Sequence, residues 1–163
     1  MEIARIHVAG TRRAYRGIYT DSYLDGLSVE EQARAWAADR KGHLAVEDPA
    51  VAVFVAIAGG RIMGFADVGA AARPDFPRHA ALHAIYMDPD HIGQGIGRAL
   101  WQACARHAKD RGFVGMIAQV LSRNAQARAF YERTGAQPLH ETEAPIETGG
   151  TIQNVITYRW PRL

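Results

Sequence analysis

Three glycines at alternate positions, Gly93, Gly95 and Gly97, separate a predicted β-strand from a predicted helix. The strand covers residues 80–87, which are mostly apolar or aromatic, and an Asp-Pro pair follows it. From Gly95 onward apolar residues recur every three or four positions, which is the period of a helix. Glycine lets the backbone approach a ligand closely, and a helix N-terminus offers unpaired N–H groups to an anion. The pattern therefore indicates a phosphate site, although a loop that needs positive φ angles would use the same glycines.

The other patterns along the chain predict a mixed sheet with helices. Strands are predicted over residues 2–8, 51–58, 61–69, 80–87, 113–121, 137–144 and 151–160, and helices over 11–22, 28–40, 95–112 and 124–134. The Gly-Gly pair at 59–60 predicts a hairpin turn, and Ser28 followed by Glu31 predicts a capping box. No stretch has the composition of a linker, so we expect one domain spanning residues 1–163. The order of elements predicts a mixed α/β sandwich rather than a regular doubly wound sheet.

Charge and cysteine content narrow the class of protein. Nineteen Lys and Arg against seventeen Asp and Glu give a net charge of only +2, too balanced for a general binder of nucleic acid or membrane surfaces. The single cysteine excludes an internal disulfide and suits a reducing compartment. No apolar run is long enough to span a bilayer, and the charged first residues do not resemble a signal peptide. We therefore expect a cytoplasmic protein with no nucleic-acid or membrane partner.

Two common classes of phosphate site do not match the glycine segment. A P-loop requires Gly-Lys followed by Ser or Thr, whereas Gly97 is followed by Arg98 and Ala99. A dinucleotide fingerprint counted from Gly93 would need a glycine where Arg98 stands. Neither a nucleoside triphosphate nor a dinucleotide is therefore the favoured ligand.

Two segments resemble motifs of the GNAT superfamily, the general-control-type N-acetyltransferases. Residues 92–97 are similar to motif A, Arg/Gln-x-x-Gly-x-Gly/Ala, at every position except the first, which is Ile92. Residues 124–135 are similar to motif B, Asn-x-x-Ala-x-x-Phe-Tyr with a glycine that ends the helix. The resemblance covers roughly residues 79–136. It implies an α/β (α+β) fold with a mixed central sheet of about six to seven strands and flanking helices, splayed between strands 4 and 5.

The resemblance also implies acetyl-CoA as the cosubstrate. No metal is expected, because His79 and His83 would lie about 13 Å apart on a strand and could not share a zinc ion. The N–H groups of residues 94–98 would bind the pyrophosphate, and the backbone of Ile85 and Met87 would bind the pantetheine arm as an added strand. The Met87 N–H would polarise the thioester carbonyl, and Asn124 would contact the pantetheine or its water. The implied donor-site residues are Ile85, Met87, Ile92, Gly93, Gln94, Gly95, Ile96, Gly97, Arg98, Asn124 and Tyr131. Ile92 cannot give phosphate the hydrogen bonds of Arg or Gln, so donor binding is expected to weaken unless Arg98 compensates.

Tyr131 occupies the motif B position from which the family's tyrosine donates a proton to the departing sulfur. Its alternative role is that of a core aromatic residue at helical spacing. Covalent catalysis is disfavoured because Cys104 lies on the apolar stripe of its helix, where a free cysteine acts as a small hydrophobic residue. The resemblance thus implies direct transfer with Tyr131 as the acid.

The general base is the largest departure from the family. At the two positions where relatives carry Glu, this chain has Ala81 and Gln119, and neither can accept a proton. Alternation along the predicted strand places one set of residues on the same face: His79, Ala81, His83, Ile85 and Met87. His83 is therefore the candidate base, with His79 behind it. The alternative is that His83 only packs beside the pocket and that water or free amine suffices.

The function implied is N-acetyltransferase, which moves an acetyl group from acetyl-CoA to a primary amine by direct attack in a ternary complex. An alternative is a catalytically weak or silent sensor module that binds acyl-CoA. The acceptor would be a small-molecule or peptide amine. The aromatic residues Tyr15, Tyr19, Tyr23 and Trp36 would either line the acceptor pocket or belong to the core. A homodimer is compatible with this interpretation.

Overall fold

The computed structural model describes residues 1–39 and 50–163, which form helices around one curved sheet. The helices are α1 Glu2–Tyr15, α2 Asp21–Asp25, α3 Val29–Asp39, α4 Ile96–Asp110 and α5 Ala125–Arg133, with a 3₁₀ turn at Pro89–His91. The strands are β1 Ala52–Ala58, β2 Arg61–Ala70, β3 His79–Met87, β4 Gly115–Leu121, β5 Gln137–Thr148 and β6 Thr151–Trp160. The predicted hairpin at 59–60 is confirmed as the turn between β1 and β2.

The six strands are ordered β1-β2-β3-β4-β6-β5, and β3 and β4 are the parallel neighbours. Their pairing joins residues 79–81 to residues 115–117 and stops there, although both strands continue. The two strands therefore diverge, which leaves a gap beside residues 83–87. This confirms the predicted mixed sheet. It also confirms the predicted splay, because β3 and β4 correspond to the fourth and fifth strands of the sequence prediction.

The predicted strand over residues 2–8 is wrong, because these residues belong to α1. Ala4, Val8 and Thr11 are buried at spacings of four and three, which is the helical period. The predicted helix over 11–22 is also interrupted, since α1 ends at Tyr15 and the chain turns through Gly17 at φ 78° before α2. A short alternation of apolar residues is compatible with either structure, and packing against β2 and β3 decides for the helix.

Two layers of side chains cover the sheet. On one face, α4 packs Leu100 and Cys104 against Ala66 and Val68 of β2. Cys104 is fully buried, and burial, with a smaller contribution from Asp67, raises the pKa of its thiol to about 12. This agrees with its interpretation as a hydrophobic residue rather than a nucleophile.

On the other face, α1 and α3 cover Phe65 and Tyr86 with an aromatic cluster. The His7 ring contacts both Phe65 and Tyr86, and the Trp36 ring contacts Phe65 edge-on. Trp36 Nε1 donates a hydrogen bond to His7 Nδ1 at 3.2 Å. Trp36 is half-buried and packs within this cluster, and it lines neither the cleft nor the second cavity described below.

A β-bulge at His83 changes which residues of β3 share a face. Leu82 pairs with Val68 and Ala84 with Asp67, so His83 is the extra residue of the bulge. One inserted residue moves every later side chain of the strand to the opposite face of the sheet. The predicted common face of residues 79, 81, 83, 85 and 87 is therefore wrong: Ala81 packs with Phe76 on one side, whereas Ile85 and Met87 face α4 on the other.

Candidate active site

The gap between β3 and β4 opens into a cleft of about 440 Å³. Five elements supply its walls. The lining residues are Gly10, Arg13, Ala14, Tyr15, His83, Ala84, Ile85, Tyr86, Met87, Ile92, Gly93, Gly95, Gly97, Arg98, Gln119, Val120, Asn124, Gln126, Ala127, Phe130, Tyr131 and Arg133. The cleft thus brings together the predicted glycine turn, the end of β3 and the helix of motif B.

Helix α4 begins at the cleft without a side-chain cap. Its N-cap is Gly95 at φ 83°, whereas the α5 N-terminus is capped by the side chain of Asn124. A left-handed φ favours glycine, and the missing side chain leaves the first N–H groups of α4 open to the cleft. Gly97 is buried in the first turn, and a Cβ there would lie 3.2 Å from Met87 Cε, so a larger residue would crowd the Met87 side chain at the cleft wall. The geometry suits an anion at the end of a helix dipole.

The end of β3 offers backbone groups to the same cleft. The Asp88 N–H donates to the Met63 carbonyl of β2 at 2.8 Å. Backbone groups alternate in direction along a strand, so the N–H groups of Ile85 and Met87 point away from β2 and toward the gap. An unpaired strand edge of this kind can hydrogen-bond an extended ligand.

Most of the predicted donor-site residues line the cleft, and two do not. Ile85, Met87, Ile92, Gly93, Gly95, Gly97, Arg98, Asn124 and Tyr131 are in its walls. Gln94 is exposed outside it, and the Ile96 side chain packs against the hydrophobic core instead. Only the backbone N–H groups of these two residues remain available for a phosphate.

Three arginines from three helices converge on the cleft: Arg13, Arg98 and Arg133. None of them makes an ion pair or hydrogen bond within residues 1–39 and 50–163. Arg5, on the same helix as Arg13, is by contrast paired with Asp88 at 3.0 Å. No described residue that lines the cleft is Asp or Glu, so its walls favour an anionic ligand. Only Arg98 was identified from sequence, because the other two reach the site through tertiary packing.

Tyr131 combines both roles that its position predicts. Its ring packs against Tyr158 and Trp160 of β6, and 7% of the residue stays exposed at the cleft. The described residues give its hydroxyl no hydrogen-bond partner, whereas the Tyr158 hydroxyl donates to Glu132 at 2.6 Å. Burial, and then the nearby Tyr15, raise the pKa of Tyr131 well above its usual value. The phenol therefore stays protonated and its O–H is available to a ligand.

A cluster of hydroxyl groups beside Tyr131 was not identified from sequence. Tyr15 interacts with Tyr86 and with the Asn124 side chain, and burial is the main cause that raises the pKa of Tyr15. Tyr86 interacts in turn with Thr11, and burial raises the pKa of Tyr86 as well. The Asn124 Oδ1 accepts a hydrogen bond from the Ala127 N–H at 3.0 Å. Asn124 thus caps α5 and orients Tyr15, a role that helical spacing alone did not indicate.

The candidate bases occupy very different positions. His83 is exposed, lines the cleft, and places its Nε2 3.2 Å from where a Cβ on Gly69 would stand, so the glycine makes room for the ring. Gln119 also lines the cleft, on the β4 side. His79 lies outside it, with its ring edge-on to Phe76, so its role as a reserve base is wrong. Ala81 is buried away from the cleft.

Comparison with known proteins agrees with this geometry. The model of the acetyltransferase (GNAT) family matches residues 11–136. The chain belongs to the GNAT family. The uncharacterised N-acetyltransferase YuaI of Bacillus subtilis (strain 168) is 28% identical over 163 residues, 99% of this GNAT chain and 87% of that protein. The L-amino acid N-acyltransferase MnaT of Escherichia coli (strain K12) is 32% identical over 83 residues, 51% and 48% of the two chains.

The fold is shared with solved GNAT structures. The PaiA N-acetyltransferase of Thermoplasma acidophilum, solved in complex with coenzyme A, superposes with a TM-score of 0.66 at 15% identity, covering 98% of this chain and 91% of that one. The predicted family and the predicted acyltransferase class are confirmed. In the described parts of this GNAT enzyme, no helix has the length and apolar character needed to cross a membrane.

Proposed function

We propose that this GNAT enzyme moves an acetyl group from acetyl-CoA to a primary amine by direct attack in a ternary complex. The observation that carries the proposal is the uncapped N-terminus of α4 beside the unpaired edge of β3. The coenzyme A in the PaiA structure and the transferase names of the relatives support it. A silent acyl-CoA sensor is not favoured by these relatives.

The donor would be bound by charge at one end and by backbone at the other. N–H groups of residues 94–98 bind the pyrophosphate at the positive end of the α4 dipole. Arg13, Arg98 and Arg133 supply positive charge to the phosphates. They compensate for Ile92, which stands where the family motif has Arg or Gln. A hydrogen bond to a charged group contributes about 1.5–3 kcal/mol, and exposure of these arginines favours the lower end. The backbone of Ile85 and Met87 binds the pantetheine amides as an added strand.

Acyl transfer needs the thioester carbonyl to be polarised and the sulfur to be stabilised as it leaves. The Met87 N–H serves the carbonyl, and the Tyr131 hydroxyl donates to the sulfur. The raised pKa of Tyr131 lies above that of a thiol, about 8.5, so complete transfer of the proton to the thiolate is unfavourable. Tyr131 therefore stabilises the sulfur mainly by hydrogen-bond donation.

A primary amine near pKa ~10.4 must lose a proton before or during attack. We assign His83 as the base, directly or through water, because it is the histidine that lines the described cleft. Gln119, at a position where the family resemblance implies a carboxylate, orients the amine by hydrogen bonding and takes no proton. A small-molecule acceptor is supported by MnaT, which is named for L-amino acids.

Ligand-induced thermal stabilisation tests the donor site. Acetyl-CoA and CoA are expected to raise the melting temperature, and ATP and NAD to do so much less. Gly95→Glu is expected to abolish the shift because it places a negative charge at the phosphate position. Gly112→Glu is the matched control: Gly112 has the same φ of 83° and the same open space, at the opposite end of α4. An undiminished shift in Gly95→Glu would place the donor elsewhere.

A further inference from the structure

A second cavity of about 320 Å³ adjoins the cleft at the splay. Its lining consists of Tyr15, Tyr19, Gln119, Val120, Leu121, Ile146 and Val155. Three of these residues, Tyr15, Gln119 and Val120, line the cleft as well. The two spaces therefore meet where β4 diverges from β3, next to the residues assigned to the transfer step.

Aliphatic and aromatic side chains predominate among the described residues that line this second cavity, and Gln119 is its polar member. Four of its lining residues are aliphatic, and the rings of Tyr15 and Tyr19 stack at 4.5 Å with an interplanar angle of 13°. The Tyr19 hydroxyl lies 3.2 Å from Thr148 Oγ1, and the Tyr15 hydroxyl interacts with Tyr86 and Asn124. None of these three partners lines the second cavity. The tyrosine hydroxyls are therefore engaged by residues outside the lining, and the stacked rings form part of the wall.

The wall formed by the tyrosines is held in place by tertiary hydrogen bonds. The Thr20 N–H donates to the Gly149 carbonyl at 3.0 Å, and Gln153 Nε2 donates to the Ile18 carbonyl at 3.0 Å. These bonds attach the segment between α1 and α2 to the β5–β6 hairpin. A preformed apolar wall loses little conformational entropy when a ligand binds.

We infer that the second cavity receives the side group of the acceptor, and that the acceptor is a primary amine carrying an aromatic or branched aliphatic group. The inference rests on the proposed function, because the amine nitrogen must reach the thioester past Gln119. The apolar group fills the space between the stacked tyrosines and the aliphatic residues, where a second cationic group would lose its hydration and meet no carboxylate among the described lining residues. One methylene in such a pocket changes kcat/KM by about 10–200-fold.

Released CoA thiol, measured with paired acceptors, tests the inference. Phenethylamine and isoamylamine are expected to give kcat/KM at least tenfold above ethanolamine and putrescine. Ile146→Lys is expected to lower kcat/KM for phenethylamine at least tenfold and to leave the KM for acetyl-CoA unchanged. Ile152→Lys is the matched control, because Ile152 lies on the opposite face of the same hairpin, is 73% exposed and lines neither cavity.

Two results would overturn the inference and leave the proposed function intact. One is putrescine or ethanolamine turnover equal to or above that of phenethylamine. The other is an Ile146→Lys enzyme that keeps the wild-type kcat/KM for phenethylamine. Thiol release that no amine raises above hydrolysis would overturn the proposed function itself, and this inference with it.

Discussion

The hydroxyl of Tyr131 offers a sharp test because a second buried tyrosine serves as its control. Tyr131→Phe removes a hydroxyl without a partner among the described residues, whereas Tyr158→Phe removes one that donates to Glu132 at 2.6 Å and accepts from Arg128 at 3.3 Å. The first change is expected to cost less than the ~0.5–1.5 kcal/mol of a typical hydrogen bond, and the second about 1–3 kcal/mol. For a chain of 163 residues each kcal/mol corresponds to about 2–4 °C in melting temperature.

Activity is expected to show the opposite order. Tyr131→Phe should lower kcat by about 10²-fold, the lower end for acid–base groups, because its raised pKa limits it to hydrogen-bond donation. This is about 2.7 kcal/mol of transition-state stabilisation. Tyr158→Phe should keep kcat within a few-fold. The assay is thiol release at saturating amine, with acetyl-CoA affinity measured separately by titration, where both variants should stay within a few-fold of wild type.

Two outcomes would refute this reasoning. If chemistry limits turnover and Tyr131→Phe runs at the wild-type rate, the tyrosine is core packing alone. If Tyr131→Phe is destabilised as much as Tyr158→Phe, its hydroxyl has a structural role and its kinetic effect cannot be assigned to the sulfur.

Three further predictions concern histidine and arginine. Burial lowers the pKa of His7 in the folded protein, so the unfolded chain binds more protons and the free energy of unfolding decreases as the pH drops toward and below about 6.5. In urea titrations from pH 7.5 to 5.5, His7→Phe should remove that part of the decrease. An unchanged dependence of the free energy of unfolding on pH would contradict the prediction. His83→Ala should remove the acidic limb from the pH profile of kcat/KM, whereas an intact limb would eliminate His83 as the base. Arg13→Ala should raise the Kd of acetyl-CoA about tenfold by titration calorimetry, and an unchanged Kd would exclude it from the donor site.

The half of the cleft that is proposed to bind the donor was predictable because its signals are local. Neighbouring residues alone indicate the end of a strand, the glycine turn and the apolar stripe of the following helix. Gly95 and Asn124 are the N-caps of α4 and α5, where the sequence predicted these helices to begin. β3 and β4 pair in parallel through only three residue pairs, and the cleft opens where this pairing stops. The divergence of these two strands was predicted only from the family resemblance, not from the spacing of the motifs.

The remaining features depend on contacts between distant segments. The bulge at His83 exists because β2 and β3 pair with one residue in excess, which alternation within β3 cannot reveal. Arg13 and Tyr15 reach the cleft because α1 is a helix that packs across β3, and the short apolar alternation at its start predicted a strand instead. The second cavity, proposed here for the acceptor, was least predictable, since β4, the α1–α2 segment and the β5–β6 hairpin all contribute to it.

The most direct test of transferase activity is the yield of acetylated amine against released CoA thiol, with phenethylamine as acceptor and product detected by mass spectrometry. Binding of acetyl-CoA at α4 with transfer to the amine predicts one acetylated amine for each thiol released, and loss of both signals in Gly95→Glu but not in Gly112→Glu. Thermal stabilisation by acetyl-CoA without any acetylated product, across all amines tested, would contradict the account and identify a protein that binds the thioester without transferring it.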